Sequence, residues 1–228
     1  MSVFIISAPS GSGKSTLVNE ILKIVPGLEF SISYTTREPR GSEQNGREYF
    51  FVTREQFEEM LRADEFLEHA DVFGNYYGTA RQFLRDAEEH GKDLLLDIDV
   101  QGAQQIKQKL PQAVSIFVLP PDRTTLEKRL RSRSLDAEKV IQRRLVTATR
   151  EIENYSKYDY ILVNDRLEES IEALKSILLA ERQRHSSTPR SGDGSDMLPR
   201  AECCRLANSR ERLQPILASF RNSSGAAG

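Results

Sequence analysis

Tryptophan is absent from the 228 residues, and cysteine occurs only as the adjacent pair Cys203 and Cys204. Two neighbouring cysteines cannot build a disulfide framework, and on their own they do not make a metal site. No stretch approaches 18 consecutive apolar residues, which excludes a transmembrane helix. The chain runs from Met1 straight into an apolar, strand-like stretch. No basic segment followed by a cleavable hydrophobic one precedes it, so no leader is expected. Charge of one sign is also lacking: 32 Lys and Arg face 34 Asp and Glu, for a net charge of −2. That balance disfavours binding to a nucleic-acid polymer, while leaving room for local arginine clusters that hold smaller phosphates. The expectation is a cytoplasmic α/β protein that does not engage membranes, with enough chain for a large core and more than one lobe.

What is present is an alternation of strands and helices. Val3–Ser7 is a short apolar run, and residues 93–98, Val114–Leu119 and Tyr160–Val163 read as buried strands. Strands of a parallel sheet covered on both faces need that pattern. Residues 15–25, 100–109 and 167–184 carry helical spacing, so the sheet is expected to be built from β-α-β units. Residues 33–91 interrupt the alternation with short strand-like pieces at 48–52 and 66–73. Two helix starts of capping-box type also fall there, Thr53 with Gln56 and Thr79 with Gln82. This region is expected to be a small mixed α/β insertion. Residues 122–154 read as a basic helical segment broken near Ser134, with Arg129, Arg131, Arg133, Arg143 and Arg144. An ordinary solvated helix pair would carry the same charge pattern. In residues 186–228, Ser, Gly, Pro and Ala fill 20 of 43 positions. That tail is expected to be largely disordered, because it buries too little apolar area to offset its ordering entropy. A short docking helix at 210–220 is the one exception considered.

The strongest motif is Ala8-Pro9-Ser10-Gly11-Ser12-Gly13-Lys14-Ser15-Thr16, between the first strand and the first helix. The P-loop pattern places Gly where Ala8 stands and otherwise matches. Gly11 and Gly13 permit positive φ and close approach of backbone to an anion. Loop amides and the start of the helix then face phosphate oxygens. Lys14 reaches the β- and γ-phosphates, and the Ser15 hydroxyl ligates Mg²⁺. The motif implies a bound nucleoside triphosphate.

The segments Ser31-Ile32-Ser33-Tyr34-Thr35-Thr36-Arg37-Glu38-Pro39-Arg40, Asn75-Tyr76-Tyr77-Gly78-Thr79, Asp97-Ile98-Asp99 and Val163-Asn164-Asp165 join the P-loop in resembling guanylate kinases over about residues 1–184. The resemblance implies a P-loop core (1–32, 92–121 and 155–185) with a parallel sheet flanked by helices. It also implies a GMP-binding region (33–91) and a helical lid (122–154). The implied reaction is phosphoryl transfer from ATP to GMP, with dGMP as a further acceptor, in guanine-nucleotide metabolism and GMP recycling. Mg²⁺ is the implied cofactor, and a homo-oligomer is open.

The resemblance implies that Arg37, Arg40, Tyr49 and Tyr77 hold the acceptor phosphate, with Glu43 nearby. Bidentate cations and hydroxyl donors suit that task. It places Glu68 against the N1–H and N2–H₂ donors of guanine, with Ser33 and Thr79 at O6. Lys14, Arg37 and the lid residues Arg129, Arg133 and Arg144 spread the charge of the transition state. Asn164 lies near adenine, or serves as a helix N-cap. Asp97 ends an apolar run as a Walker-B-type carboxylate and joins the Mg²⁺ water shell with Ser15. Asp99 lies near GMP, and the roles of the two aspartates are open to partial exchange. Where the family commonly has Arg-Gly-Arg-Gly at the lid hinge, this chain has Arg131-Ser132-Arg133-Ser134. Two alternatives stand beside the kinase: a non-catalytic guanylate-kinase-like module binding phosphorylated partners, and a P-loop kinase of another phosphorylated small molecule.

Overall fold

The computed structural model describes residues 1–72, 74–133, 138–185 and 197–221, with the Arg133 side chain excepted. Its elements follow in chain order. The first part holds β1 (Val3–Ser7), α1 (Lys14–Ile24), β2 (Leu28–Ser31), β3 (Tyr34–Thr35), β4 (Phe50–Phe51), α2 (Arg54–Arg62), β5 (Phe66–Val72), β6 (Asn75–Ala80) and α3 (Arg81–Glu89). Next come β7 (Asp93–Asp97), α4 (Val100–Lys109), β8 (Val114–Leu119), α5 (Arg123–Arg133), α6 (Glu138–Ile152), a 3₁₀ turn (Glu153–Lys157) and β9 (Tyr160–Val163). The chain then forms α7 (Leu167–His185), α8 (Met197–Cys204) and α9 (Leu206–Arg221). Five strands form one sheet in the order β2-β7-β1-β8-β9, and four form a second in the order β4-β3-β6-β5. Contacts divide the chain into two compact units, Met1–Ile5 with Val25–Val114, and Ile6–Ile24 with Ser115–Gly228.

In the first unit, β2 and β7 pair in parallel from Leu28 opposite Asp93 to Ser31 opposite Leu96. Leu94, Leu95 and Leu96 are fully buried, as a strand covered on both faces demands. The second sheet packs around an aromatic cluster in which the rings of Phe57 and Phe66 stack with centroids 4.4 Å apart. Gly78 lies under that stack: a Cβ there would come 2.8 Å from Phe66 and 3.0 Å from Phe57. The glycine of the Asn75-Tyr76-Tyr77-Gly78 segment is thus a packing requirement. Tyr34 and Phe50 stack at 4.8 Å, consistent with a packing role for both.

Helix α2 begins with the expected capping box, both Thr53–Gln56 bonds being present. The second expected box is absent. Thr79 belongs to β6, the N-cap of α3 is Ala80 without a side-chain bond, and the Thr79 hydroxyl donates to Glu68 instead. Thr79 stands one residue before the cap, still in the strand, with its side chain turned to the buried carboxylate.

In the second unit, β8 and β9 pair in parallel from Ile116 opposite Tyr160 to Leu119 opposite Val163. The buried face of α1 (Leu17, Val18, Ile21) packs on α7. Helices α5 and α6 flank residues 134–137, so the expected break near Ser134 lies outside the described residues. Arg131 ties the two helices by pairing with Glu127 and Glu138. Its hydrogen bonds hold the Glu138 carboxyl down at about 2.

The expectation of disorder fails for residues 197–221, which form α8 and α9. The considered docking helix falls inside α9. Leu213, Ile216, Leu217 and Phe220 are all buried, and α9 contacts α5, α6, α8 and β9. Leu206 N donates 3.0 Å to Asp159 O, and Ser219 Oγ accepts from Arg123 N at 3.2 Å. Tyr160 and Arg184 both bond to Glu181; Arg184 also bonds to Glu202, and Arg205 pairs with Glu181 and Glu202 at 3.0 Å. That network fixes α8 to α7 and β9. Cys203 is exposed and Cys204 buried, both as free thiols. Among the described residues no helix is long and apolar enough to cross a membrane.

Candidate active site

The phosphate cradle lies in the second unit. β1 ends at Ser7, the loop turns through Ala8 to Gly13, and α1 starts at Lys14. Gly11 and Gly13 have φ of 90° and 88°, the left-handed region where a side chain is strained. Both are also crowded. A Cβ on Gly11 would lie 2.9 Å from Leu130 of α5, and one on Gly13 would lie 2.3 Å from Asn164 Nδ2. Ser12 N donates to Pro9 O at 3.1 Å, which closes the turn. The Ser12 Oγ is buried and has no hydrogen-bond partner. Lys14 and Thr16 are half-buried, and Ser15 is exposed on the first turn of α1.

Asn164 is 5% exposed and spends its Nδ2 on Ser12 O at 2.7 Å. Its carboxamide braces the cradle, a position that neither sequence alternative described. Arg129 reaches the same turn, with both Nη atoms 3.0 Å from Asn164 O. Arg144 is half-buried on α6, and Arg133 ends α5 with its side chain outside the described residues.

The first unit gathers the remaining residues. Glu68 on β5 is 3% exposed and accepts the Thr79 hydroxyl at 2.6 Å. Burial pushes its carboxyl up to about 7, against the partial opposition of that hydrogen bond. Ser33, half-buried, sits between β2 and β3. Arg37 is 9% exposed and lies over the rings of Tyr49 and Phe51, at 5.3 and 5.8 Å. Burial works to lower its pKa, but hydrogen bonds to Glu43 and Tyr77 outweigh this and raise it. Glu43 pairs with Arg37 at 3.0 Å and accepts Arg40 N at 2.8 Å, so it fastens the arginine-bearing loop. The Arg40 side chain is exposed. The Tyr49 and Tyr77 rings meet edge to face at 5.9 Å.

Asp97 closes β7, half-buried. Asp99 is the N-cap of α4, accepting Gly102 N at 2.8 Å. Among the described residues there is no cluster of three or more His, Cys, Asp or Glu able to hold a metal. Gly102, which abuts Glu68, was not singled out by the sequence reading. A glycine early in an otherwise helical segment was its one available signal.

A glycine-crowded anion cradle in one unit, and in the other a buried carboxylate and a tyrosine-backed arginine, suit a phosphorylated nucleotide donor and acceptor. Comparison with known proteins agrees: the family described as guanylate kinase matches residues 1–181. The chain belongs to the guanylate kinase family. It is 63% identical over 225 residues to a guanylate kinase of Koribacter versatilis (strain Ellin345), with 97% of each protein covered. It is 50% identical over 187 residues to a guanylate kinase of Escherichia coli (strain K12), covering 81% of this chain and 90% of that one. The crystal structure of guanylate kinase from Anaplasma phagocytophilum superposes with a TM-score of 0.68 at 32% identity, covering 94% of each chain. The first of these alignments extends beyond the family match at 181, and so beyond the guanylate kinase core into the tail.

Proposed function

We propose that this chain is a cytoplasmic enzyme that transfers the γ-phosphoryl group of ATP to GMP, giving ADP and GDP in guanine-nucleotide metabolism. The observation that carries the reading is the buried Glu68–Thr79 pair. A carboxylate in that setting suits the N1–H and N2–H₂ donors of guanine, whereas adenine would set a ring nitrogen without a proton against it. Ser33 is the hydroxyl left to meet O6, because the one Thr79 proton is committed to Glu68, and Thr79 serves the base by holding that carboxylate. dGMP is the further acceptor that family membership suggests.

Arg37, Arg40, Tyr49 and Tyr77 take the acceptor phosphate, with Glu43 holding Arg37 and the Arg40 backbone in place. Residues 8–16 wrap the triphosphate, and the buried, unpartnered Ser12 hydroxyl adds a donor to the loop amides. The chain offers hard oxygen donors for Mg²⁺ at Ser15 and Asp97. Mg²⁺ retains waters and phosphate oxygens and needs few protein ligands, so this set fits it. When bound, the ion neutralises charge on the ATP phosphates. Residues 33–91 are the GMP-binding region and 122–154 the lid.

A GMP phosphate oxygen attacks the γ-phosphorus in line, the bond to the β-phosphate oxygen breaks, and ADP leaves. Lys14, Arg37, Arg129, Arg133 and Arg144 spread the charge that develops. Positioning by these cations does the work, and no covalent intermediate forms on the protein.

The test is ADP production by folded protein supplied with ATP, Mg²⁺ and GMP. Turnover that depends on GMP is expected. Its absence would return the chain to the class of non-catalytic phosphate-binding modules.

A further inference from the structure

β5 is an edge strand of the second sheet, and α4 lies against its free edge. Three α4 side chains at four-residue spacing take up β5 backbone groups at two-residue spacing. Gln101 Nε2 donates to Asp71 O at 3.5 Å. Gln105 brackets His69, accepting its N–H at 3.2 Å and donating to its carbonyl at 2.6 Å. Lys109 Nζ donates to Leu67 O at 2.6 Å. Four helical residues advance about 6 Å and two strand residues about 6.7 Å, so the two ladders stay in step. The helix therefore substitutes for a neighbouring strand and fixes β5 in register.

Gly102 occupies the place on this helix that faces Glu68. A Cβ on Gly102 would lie 2.3 Å from Glu68 Oε2 and 2.9 Å from Cδ, and 3.3 Å from Oδ1 of the N-cap Asp99. Contacts below 3 Å are not tolerated, so something must move. α4 is held by its cap and by the ladder on β5, whereas Glu68 is the end of a flexible side chain.

We propose that Gly102 is a positioning residue for acceptor specificity: the side chain it lacks is the space in which α4 seats the Glu68 carboxylate. Alanine is a better helix former than glycine. Gly102→Ala therefore separates folding from recognition, sparing the helix while displacing the carboxylate from the base. This inference rests on Glu68 reading the guanine edge.

The experiment compares Gly102→Ala, Glu68→Ala and Glu68→Asp, alone and with Gly102→Ala, in the full chain. Steady-state kinetics with ATP and GMP are measured together with thermal melting. In Gly102→Ala the KM for GMP is expected to rise roughly 10- to 100-fold, the consequence of misplacing one buried polar group. The KM for ATP and kcat at saturating GMP stay near wild type, and the melting temperature does not fall. Glu68→Asp, shorter by one methylene, weakens GMP use in the parent yet improves it in the Gly102→Ala background. That change of sign is a coupling a purely structural glycine would not produce. An unchanged KM for GMP in Gly102→Ala, with Glu68→Ala impaired, overturns the role of Gly102 and leaves Glu68 as the reader. Full GMP turnover by Glu68→Ala overturns both. A lowered melting temperature with both KM values raised makes Gly102 a folding residue and sinks the proposal.

Discussion

Asn164 Nδ2 donates to Ser12 O at 2.7 Å, on the spot that a side chain at Gly13 would need. A residue 152 positions away in sequence thus sets the shape of the phosphate cradle, and Gly13 is glycine partly to admit it.

Removing that brace leaves the Ser12 carbonyl unpaired. Asn164→Ala is expected to cost about 1–3 kcal/mol of cradle order, which titration of ATP reads as roughly 5- to 150-fold weakening. Arg129 bonds to the Asn164 main-chain oxygen, which alanine retains, so the effect belongs to the carboxamide. Unaltered ATP affinity in this variant would show that the cradle holds its shape without it.

Lys14 stands at the start of α1, and its proposed task is to meet the triphosphate. Lys14→Met is expected to lower turnover by at least about 100-fold, the scale of losing one transition-state donor. Circular dichroism and melting should match the parent. An active Lys14→Met chain would overturn the cradle as the donor site.

Glu68 sets function against stability. Its carboxyl is raised from an ordinary 4.5 to about 7 in the folded chain. Between those values the folded state binds more protons than the unfolded one, so stability falls as pH rises through that window. The total is about 3 kcal/mol by linkage. Glu68→Gln is expected to melt higher than the parent at pH 8, to converge with it below pH 4.5, and to lose GMP turnover. In the parent the KM for GMP should rise as pH falls below 7, because the protonated carboxyl meets the guanine donors poorly. A Glu68→Gln chain that melts lower at pH 8 would mean the charge is compensated in the folded state.

The C-terminal helices supply core. Phe220 is 2% exposed, and Phe220→Ala is expected to cost about 3 kcal/mol or more. For a chain of this size that lowers the melting temperature by about 6–12 °C. Deleting residues 186–228 should cost more. A deletion that melts like the parent would show that α8 and α9 add nothing to the core.

What was legible in the sequence followed from local pattern. Val114–Leu119 and Tyr160–Val163 declared themselves as buried strands, and Thr53 with Gln56 spelled a capping box that forms. Thr79 with Gln82 spelled the same box, but its hydroxyl answers to Glu68, a partner 11 residues away. The meaning of Gly102 likewise depends on a carboxylate from another element, which no helical pattern announces. The tail misled for a different reason. Leu213, Ile216, Leu217 and Phe220 recur at helical spacing, but averaging composition over 43 residues diluted them. Pro199 and Pro215 counted toward that composition, although Pro199 lies in the first turn of α8, where its missing N–H costs nothing. Pro215 sits inside α9, whose apolar face is buried against β9, α5 and α6.

The central claim is group transfer to a guanine acceptor, and labelled ATP tests it most directly. With the γ-phosphate labelled and GMP and Mg²⁺ present, the account predicts one label in GDP for every ADP formed, and negligible transfer when AMP replaces GMP. ADP formed without labelled GDP, or AMP serving as well as GMP, would contradict it.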